Sequence, residues 1–424
     1  MLRYWRGVGV CALFTGLSGP VLAQQANDTG LFGNWGGMKP ALAAHGVSYS
    51  LTDSENLLGN VMGGLKTGAT MQGVTTMTMD VDTSKAFGWQ GGDFHISALQ
   101  LHGQVLSANY LDTLQAANGN EGDDATRLWE LWYDQAAPNG KFDIKIGQQS
   151  VDNEFMVSTY SGLFVNTMAG WPIIPSVDLY GGGPAYPLSS LGVRGQLKPS
   201  GAVTILAGVF DDNPGAGKFD DDAQQLDKSG GRFSLKTGAL WMGEVQYTTK
   251  LGGLPGTYKL GGWYDSANFP DQLYNLNHRG NYSLYAVMDQ TVWQSAKDNS
   301  RTLNIFGRVM GAPSNQNLVD FGGNGGVTLT APLPGRDNDQ VGLDIGFAKL
   351  SSRAASSAAL AAGRRPHLET LFEATYQAQA TPWLVVQPDL QYVINPGGGI
   401  TDPNDPTHKL KNELVVGARA VVTF

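Results

Sequence analysis

From about residue 93 to the carboxyl terminus, apolar and polar side chains alternate with period two, the spacing of strands that have one greasy and one wet face. In the final run, Leu410, Asn412, Leu414, Val416, Ala418, Ala420, Val422 and Phe424 share a mostly apolar face, while Lys411, Glu413, Gly417, Arg419 and Thr423 dominate the other. Phe142, Ile144 and Ile146 alternate likewise with Asp143, Lys145 and Gly147, and Leu191, Val193 and Leu197 with Gly192, Arg194, Gln196 and Lys198. Phe233 and Leu235 alternate with Arg232, Ser234 and Lys236, and Val245 and Tyr247 with Glu244, Gln246 and Thr248. Val341, Leu343, Ile345 and Phe347 oppose Gly342, Asp344 and Gly346, and Leu368, Phe372 and Tyr376 oppose His367, Glu369, Glu373 and Gln377. Leu384, Val386, Leu390 and Tyr392 then oppose Gln387, Asp389 and Gln391.

One such strand fits a soluble sandwich as well as a membrane barrel. The recurrence of the dyad, without a long helical interruption and behind a secretory leader, favours an all-β fold: a transmembrane antiparallel β-barrel with inward-folding loops. At about 25 residues per strand and its share of loops, the count is roughly sixteen. Pro138-Asn139-Gly140, Lys198-Pro199-Ser200-Gly201 and Thr381-Pro382 mark short turns, assigned to the periplasmic side. The polar segments Asp211 to Lys228, Ala296 to Ser300, Asp337 to Gln340 and Asn395 to Lys409 are assigned to outer loops or their anchors, and the Ala354 to Ala362 run to an extracellular insertion. Gly147, Gly192 and Gly346, on the polar face, either leave room in a lumen or relieve twist. Met38 to His45 reads as a short helix ending at Gly46, in the lumen, beneath the barrel or as a simple cap.

Arg3, Arg6, an apolar stretch from Val8 to Leu17 and Ser18-Gly19-Pro20 before Ala23 have the form of a cleavable signal peptide. The organisation read from the chain is therefore residues 1–23 as leader, 24–75 as an amino-terminal segment partly in or beneath the barrel, and 76–424 as the barrel. The single cysteine, Cys11, falls in the leader, which leaves no disulfide or thiol chemistry for the exported part. Without Arg3 and Arg6 there are 26 basic residues against 37 acidic ones, a net charge near −11. That balance, with no basic cluster, excludes a nucleic-acid partner. No segment approaches eighteen uninterrupted apolar residues, so helical membrane spans are excluded too. Glycine, 57 of 424 residues, and 10% aromatics suit a strand-rich fold with tight turns.

No catalytic constellation emerges. Ser158, His278 and Asp178 lack a nucleophile elbow, and His45, His95, His102, His278, His367 and His408 lack zinc-site spacing. Gly181-Gly182-Gly183, Gly322-Gly323 and Gly325-Gly326 make no nucleotide fingerprint. Asp211-Asp212 and Asp220-Asp221-Asp222 do not match a calcium loop, so solvation or repulsion of anions is the better reading. The chain is read as neither an enzyme nor a cofactor binder. Candidate bore residues, from the polar phases of the runs, are Glu130, Asp143, Lys145, Arg194, Arg232, Glu244, Asp344, Glu369, Glu373 and Arg419. Arg194 and Arg232 are the leading donors to a polar solute, Glu130 and Glu244 the leading acceptors. Trp129, Trp132, Tyr133, Trp171, Tyr180 and Tyr186 are candidates to stack on apolar sugar faces, or else to sit at membrane interfaces.

Leu31 to Gly46 (LFGNWGGMKPALAAHG), Glu55 to Gly64 (ENLLGNVMGG), Ile146 to Pro172 (IGQQSVDNEFMVSTYSGLFVNTMAGWP) and Tyr186 to Pro214 (YPLSSLGVRGQLKPSGAVTILAGVFDDNP) carry a resemblance, as does the last strand ending in Phe424. Together, in this order, they are similar to the carbohydrate-selective outer-membrane porins of the OprB family. The family pattern prefers Gly-Arg-Gln-Ser where this chain has Gly147-Gln148-Gln149-Ser150, and Phe-Gly where it has Ala169-Gly170. The resemblance implies a sixteen-stranded, water-filled channel of the outer membrane of a Gram-negative bacterium, for passive uptake of small sugars, with glucose-like monosaccharides first. Implied partners are small sugars, outer-membrane lipid and lipopolysaccharide and the outer-membrane insertion machinery; homo-oligomerisation is left open. A general or organic-acid channel, and a non-conducting assembly or surface-interaction protein, are the alternatives.

Overall fold

The computed structural model describes residues 30–424, so the leader lies outside the described residues. Sixteen strands close into one antiparallel barrel in the order β1-β18-β15-β14-β13-β12-β11-β10-β9-β8-β7-β6-β5-β4-β3-β2. They are β1 (Val47–Met62), β2 (Gly68–Asp82), β3 (Gly92–Gly103), β4 (Ala125–Ala136), β5 (Phe142–Gln149), β6 (Ser190–Ser200), β7 (Val203–Phe210) and β8 (Leu240–Leu251). The second half comprises β9 (Leu254–Pro270), β10 (Asn277–Gln294), β11 (Thr302–Gly311), β12 (Val319–Thr330), β13 (Gln340–Leu350), β14 (Leu368–Thr381), β15 (Leu384–Ile394) and β18 (Glu413–Thr423). A separate hairpin, β16 (Thr401–Asp402) with β17 (Asp405–Lys409), stands in the last long loop. The seam between β1 and β18 runs from Thr52 opposite Thr423 to Met62 opposite Leu414. Closure matters because an unpaired backbone group in hydrocarbon costs several kcal/mol.

Register fixes which phase faces out. Phe142, Ile144 and Ile146 on β5, Val245 and Tyr247 on β8, Leu343 and Ile345 on β13, Phe372 on β14 and Val416 on β18 are exposed on the outer wall. Their neighbours Lys145, Glu244, Asp344, Glu373 and Glu413 are buried in the bore. A slip of one residue would reverse all of these, so the apolar phase holds the register.

The wall begins at Val47, so β1 and the start of β2 belong to it rather than to a segment in or beneath the barrel ending at residue 75. What precedes it is the helix α1 (Met38–Ala44), which ends before Gly46 at φ +78°. A Cβ at Gly46 would meet the Asp82 carbonyl at 2.7 Å, so glycine suits both the turn and the close approach. This segment sits at the rim against outward residues: Trp35 packs on Tyr49 with ring centroids 5.2 Å apart, Phe32 on Phe424 at 5.5 Å, and the Lys39 ammonium donates to the Phe424 carbonyl at 2.8 Å.

Connections alternate between two ends. Residues 137–141, 201–202, 252–253 and 382–383 turn tightly at the end that holds Phe424, which by the usual rule faces the periplasm. Residues 104–124, 150–189, 211–239 and 395–412 make long loops at the other end. Strand parity places Ala296 to Ser300 and Asp337 to Gln340 with the short turns, which corrects their assignment to outer loops. Phe233 and Leu235 lie in the 211–239 loop, so their alternation is not a strand. The alanine run forms α2 (Ser352–Ala362), between β13 and β14 at the long-loop end.

The core lies inside the barrel. Phe155, Trp171, Ile174 and Leu179 of the 150–189 loop pack with Leu206, Phe210, Leu240, Met242, Trp263 and Tyr285 of the inner wall. Burying an aromatic or aliphatic side chain of this size is worth about 1.5–3 kcal/mol. The loop is thus a folded insert within the bore.

Candidate functional site

Four neighbouring strands bring one charged row into the bore near the short-turn end. Asp134 on β4 pairs with Lys145 on β5, which pairs with Arg194 on β6, and Asp143 pairs with Gln196 one step nearer the turn. Trp132 stands beside His95 of β3. Glu154, from the start of the 150–189 loop, completes the group.

The contacts are dense. The Arg194 guanidinium donates to Glu154 Oε2 at 2.6 Å, to Asp134 Oδ2 at 3.1 Å and to Asp143. Lys145 donates to Glu154 and lies 4.3 Å from the centroid of the Trp132 ring, while His95 stacks on that ring at 4.7 Å and bonds Asp80 at 2.6 Å. Glu130 accepts from the Ser150 amide at 3.0 Å and the Asn153 side chain at 3.1 Å. Burial alone would raise the carboxyl of Glu154, but Lys145 and Arg194 outweigh it and hold the group down to about 2. Glu154 therefore stays ionised at any physiological pH. The candidates Glu130, Asp143, Lys145, Arg194 and Trp132 come together here.

Three other carboxylates, Glu244, Glu369 and Glu373, do something different: they hold the inward loops by their backbone. Glu369 accepts from the amides of Leu114 at 2.8 Å, Gln115 at 2.9 Å and Gly397 at 2.7 Å. Glu373 accepts from the amides of Val165 and Asn166, and Glu244 from the Met156 amide and the Tyr285 hydroxyl, both at 2.8 Å. Arg419 donates to Asn56 Oδ1 at 3.0 Å and to the Val165 carbonyl at 3.4 Å. Asp344 accepts from Asn324 at 3.1 Å.

The model of the family described as carbohydrate-selective porin, OprB family, matches residues 66–424. The chain belongs to this family. Porin B of Pseudomonas aeruginosa is 24% identical over 449 aligned positions, covering 94% of this chain and 92% of the relative. A putative porin of Acinetobacter baylyi, QuiX, is 23% identical, covering 87% and 89%. Among solved structures, the high-pH form of Pseudomonas putida OprB superimposes with a TM-score of 0.81 at 22% identity, covering 94% of this chain and 99% of that one. Its low-pH form gives 0.60 at 17% identity. The protein is a passive channel of the Gram-negative outer membrane for carbohydrates.

Several expected contacts of this porin lie elsewhere. Arg232 is exposed in the 211–239 loop, and Tyr133 is on the outward phase of β4, its ring 6.1 Å from Trp89, as befits a membrane-interface pair. Trp171 is buried and donates to the Gly182 carbonyl at 2.8 Å; Tyr180 donates to the Asn268 carbonyl at 2.7 Å; Trp129 and Tyr186 pack edge to face at 5.8 Å. These four brace the loops, and the Trp132 ring is already engaged by His95 and Lys145. Gln148, where the family pattern has arginine, ties Trp129, Ser189 and Gly230 together rather than facing the passage.

Sequence reasoning missed Arg308. It is 2% exposed, donates to the carbonyls of Met156 at 3.1 Å, Gly170 at 2.6 Å and Met168, and to Asn324 Oδ1 at 3.0 Å. The signal was present in the alternation of Phe306, Arg308 and Met310, but all three point inward, so the run lacks the greasy and wet contrast that marked the others.

Proposed function

We propose that this porin passes small neutral sugars, glucose-like monosaccharides first, along a passage bounded by Asp80, Asp134, Asp143, Lys145, Glu154 and Arg194. The observation that carries the reading is that carboxylates outnumber cations in the row. Arg194 meets three carboxylates and Lys145 meets one of the same three, so no surplus positive field awaits an organic acid. A sugar presents hydroxyls that both donate and accept, and it can exchange with such fork-shaped contacts as it passes. Contacts already shared among protein groups bind a visitor weakly, which a channel needs for release. The folded loops restrict the bore and favour monosaccharides over long chains.

Liposome swelling with a graded series from glucose to malto-oligosaccharides, and sugar block of single-channel current in planar bilayers, test this. Glucose should enter faster than a dicarboxylate, and Arg194→Gln and Glu130→Gln should weaken sugar block. Preferential dicarboxylate flux, absence of conductance, or sugar flux and block unchanged in both variants would each overturn the proposal.

A further inference from the structure

The two ends of the 211–239 loop meet beside the inner wall, and acidic residues gather where they meet. Asp211 turns the loop back on itself: its carboxylate accepts from the Asn213 amide at 3.2 Å and from the Ser234 amide at 2.8 Å. The Asn213 side chain ties the same turn by donating to the Gly217 carbonyl at 2.8 Å and the Thr237 hydroxyl at 3.0 Å. Gly238 then passes so close to β9 that a Cβ would meet the Ala267 amide at 2.7 Å. On β9 itself, Asp265 lies in the inward phase between Trp263 and Ala267.

Asp212 and Asp265 form a buried acidic pair. They are 1% and 0% exposed, and their carboxyl groups lie within hydrogen-bonding reach of each other. Asp265 Oδ1 accepts from the Ala267 amide at 2.9 Å, but no donor in hydrogen-bond geometry meets its Oδ2 or either oxygen of Asp212. The Gly238 amide lies near Asp212 without completing such a bond. Among the described residues no lysine, arginine or histidine forms an ion pair with either acid. Asp220 and Asp221 of the same loop are exposed, so solvation accounts for them but not for this pair. Two carboxylates held in contact away from water need either a cation or a shared proton.

We propose that Asp212 and Asp265 bind a calcium ion that clips the 211–239 loop to β9. The donors are carboxylate oxygens, which favour an alkaline-earth ion over zinc or copper. Calcium accepts mono- and bidentate carboxylates in irregular sets of about six to eight oxygens, whereas magnesium demands a near-octahedral set and keeps much of its water. Asp212, with both oxygens lacking donors, suits bidentate ligation, and Asp265 Oδ2 suits the monodentate kind. Asp211 is taken up by its two amides, and no cage of three acidic or histidine side chains forms among the described residues, so carbonyls and water complete the shell. One divalent ion neutralises the pair and joins the loop to the wall through both of its ligands. The proposal does not depend on which solute crosses the barrel.

Terbium luminescence of the purified porin, stripped with a chelator and held in non-ionic detergent at neutral pH, tests it. Trp263 lies two residues from Asp265 on the same face, about 7 Å along the strand, and so sensitises emission from Tb3+ standing in for calcium. Tb3+ should bind saturably and be displaced by Ca2+ but not by an equal concentration of Mg2+. Asp212→Asn and Asp265→Asn should each weaken binding by at least about tenfold, and Asp220→Asn should leave it unchanged. Ca2+ should also slow proteolysis within residues 211–239 of the parent. Absence of saturable emission, which would leave the pair sharing a proton, binding that survives both asparagine changes, an equal loss in Asp220→Asn, or proteolysis indifferent to Ca2+ would each overturn the proposal. If the asparagine variants fail to form a heat-modifiable barrel, Trp263→Phe decides: it should remove most of the emission while Ca2+ still protects the loop, and undiminished emission would place the ion elsewhere and overturn the assignment.

Discussion

Replacing Arg308 with methionine should loosen the 150–189 loop while leaving the wall closed. The guanidinium satisfies three loop carbonyls, those of Met156, Met168 and Gly170, as well as Asn324 across from it on β12. Methionine keeps much of the stem's packing but supplies no donor. Each buried carbonyl left without one costs about 1–3 kcal/mol, so the direct sum is roughly 3–9 kcal/mol. Water that enters the bore recovers part of this, leaving roughly 3–5 kcal/mol, the usual range for breaking one side of a buried charged contact. Since 1.4 kcal/mol is tenfold, the balance between docked and released loop shifts by roughly a hundred-fold to a few thousand-fold. Single-channel recording should show larger and noisier conductance, and protease added from the loop side should cut within residues 150–189, with heat-modifiable mobility unchanged. Arg308→Lys should rescue only partly, because one ammonium cannot span three carbonyls as a planar fork does. Parental conductance and full protease protection in Arg308→Met would refute the claim that this side chain holds the loop.

Two further tests address the other inserts. Burial raises the carboxyl of Glu121, in the 104–124 loop, from an ordinary 4.5 to about 7 against the opposing bonds from Ser107. The folded value lies above the unfolded one, so the stability linked to this group is complete below about pH 4.5 and is lost as pH rises through about 7. Hydrogen exchange of residues 104–124 should accelerate between pH 5 and 8, and Glu121→Gln should remove that dependence beyond the intrinsic exchange rate; a flat profile in the parent would refute it. Gly346→Leu should displace Met168, whose thioether occupies the space a Cβ would need, and should alter conductance as Arg308→Met does. Unchanged conductance there would mean that the loop does not depend on this glycine surface.

The wall was legible because its cause is local and repeated. Each outward Ile144, Leu343 or Val416 must meet hydrocarbon, and the next residue must not, so period two survives in the sequence whatever the neighbouring strand is. The start of the wall was less legible, because outward Asp53 and Glu55 break the dyad on β1 and the methionines of β2 blur it. Loop sidedness depends on counting every preceding strand, a global property that the length of Asp337 to Gln340 does not reveal. The inward glycines divide similarly. Gly346 and Gly342 accept Met168, Leu163 and Phe164 of the loop rather than water, and nothing in their spacing announces a partner more than 150 residues away.

The bore residues show why polar phase alone does not identify a solute contact. A carboxylate pointing into a barrel has two uses, and the choice depends on whether a loop amide stands within reach. Glu369 and Glu373 find two or three amides each and become tethers, whereas Asp134 and Asp143 find only Arg194 or Gln196 and stay in the row proposed to bound the passage. Glu154 belongs to both groups, since it rides on the inserted loop yet bonds Lys145 and Arg194 of the wall. The row proposed to meet the solute therefore also fastens the start of the 150–189 loop. Neutralising Arg194 thus removes a proposed sugar partner and a tether together, so its effect on sugar block has to be compared with Arg308→Met, which releases the loop from β11 while leaving every charge in the row in place.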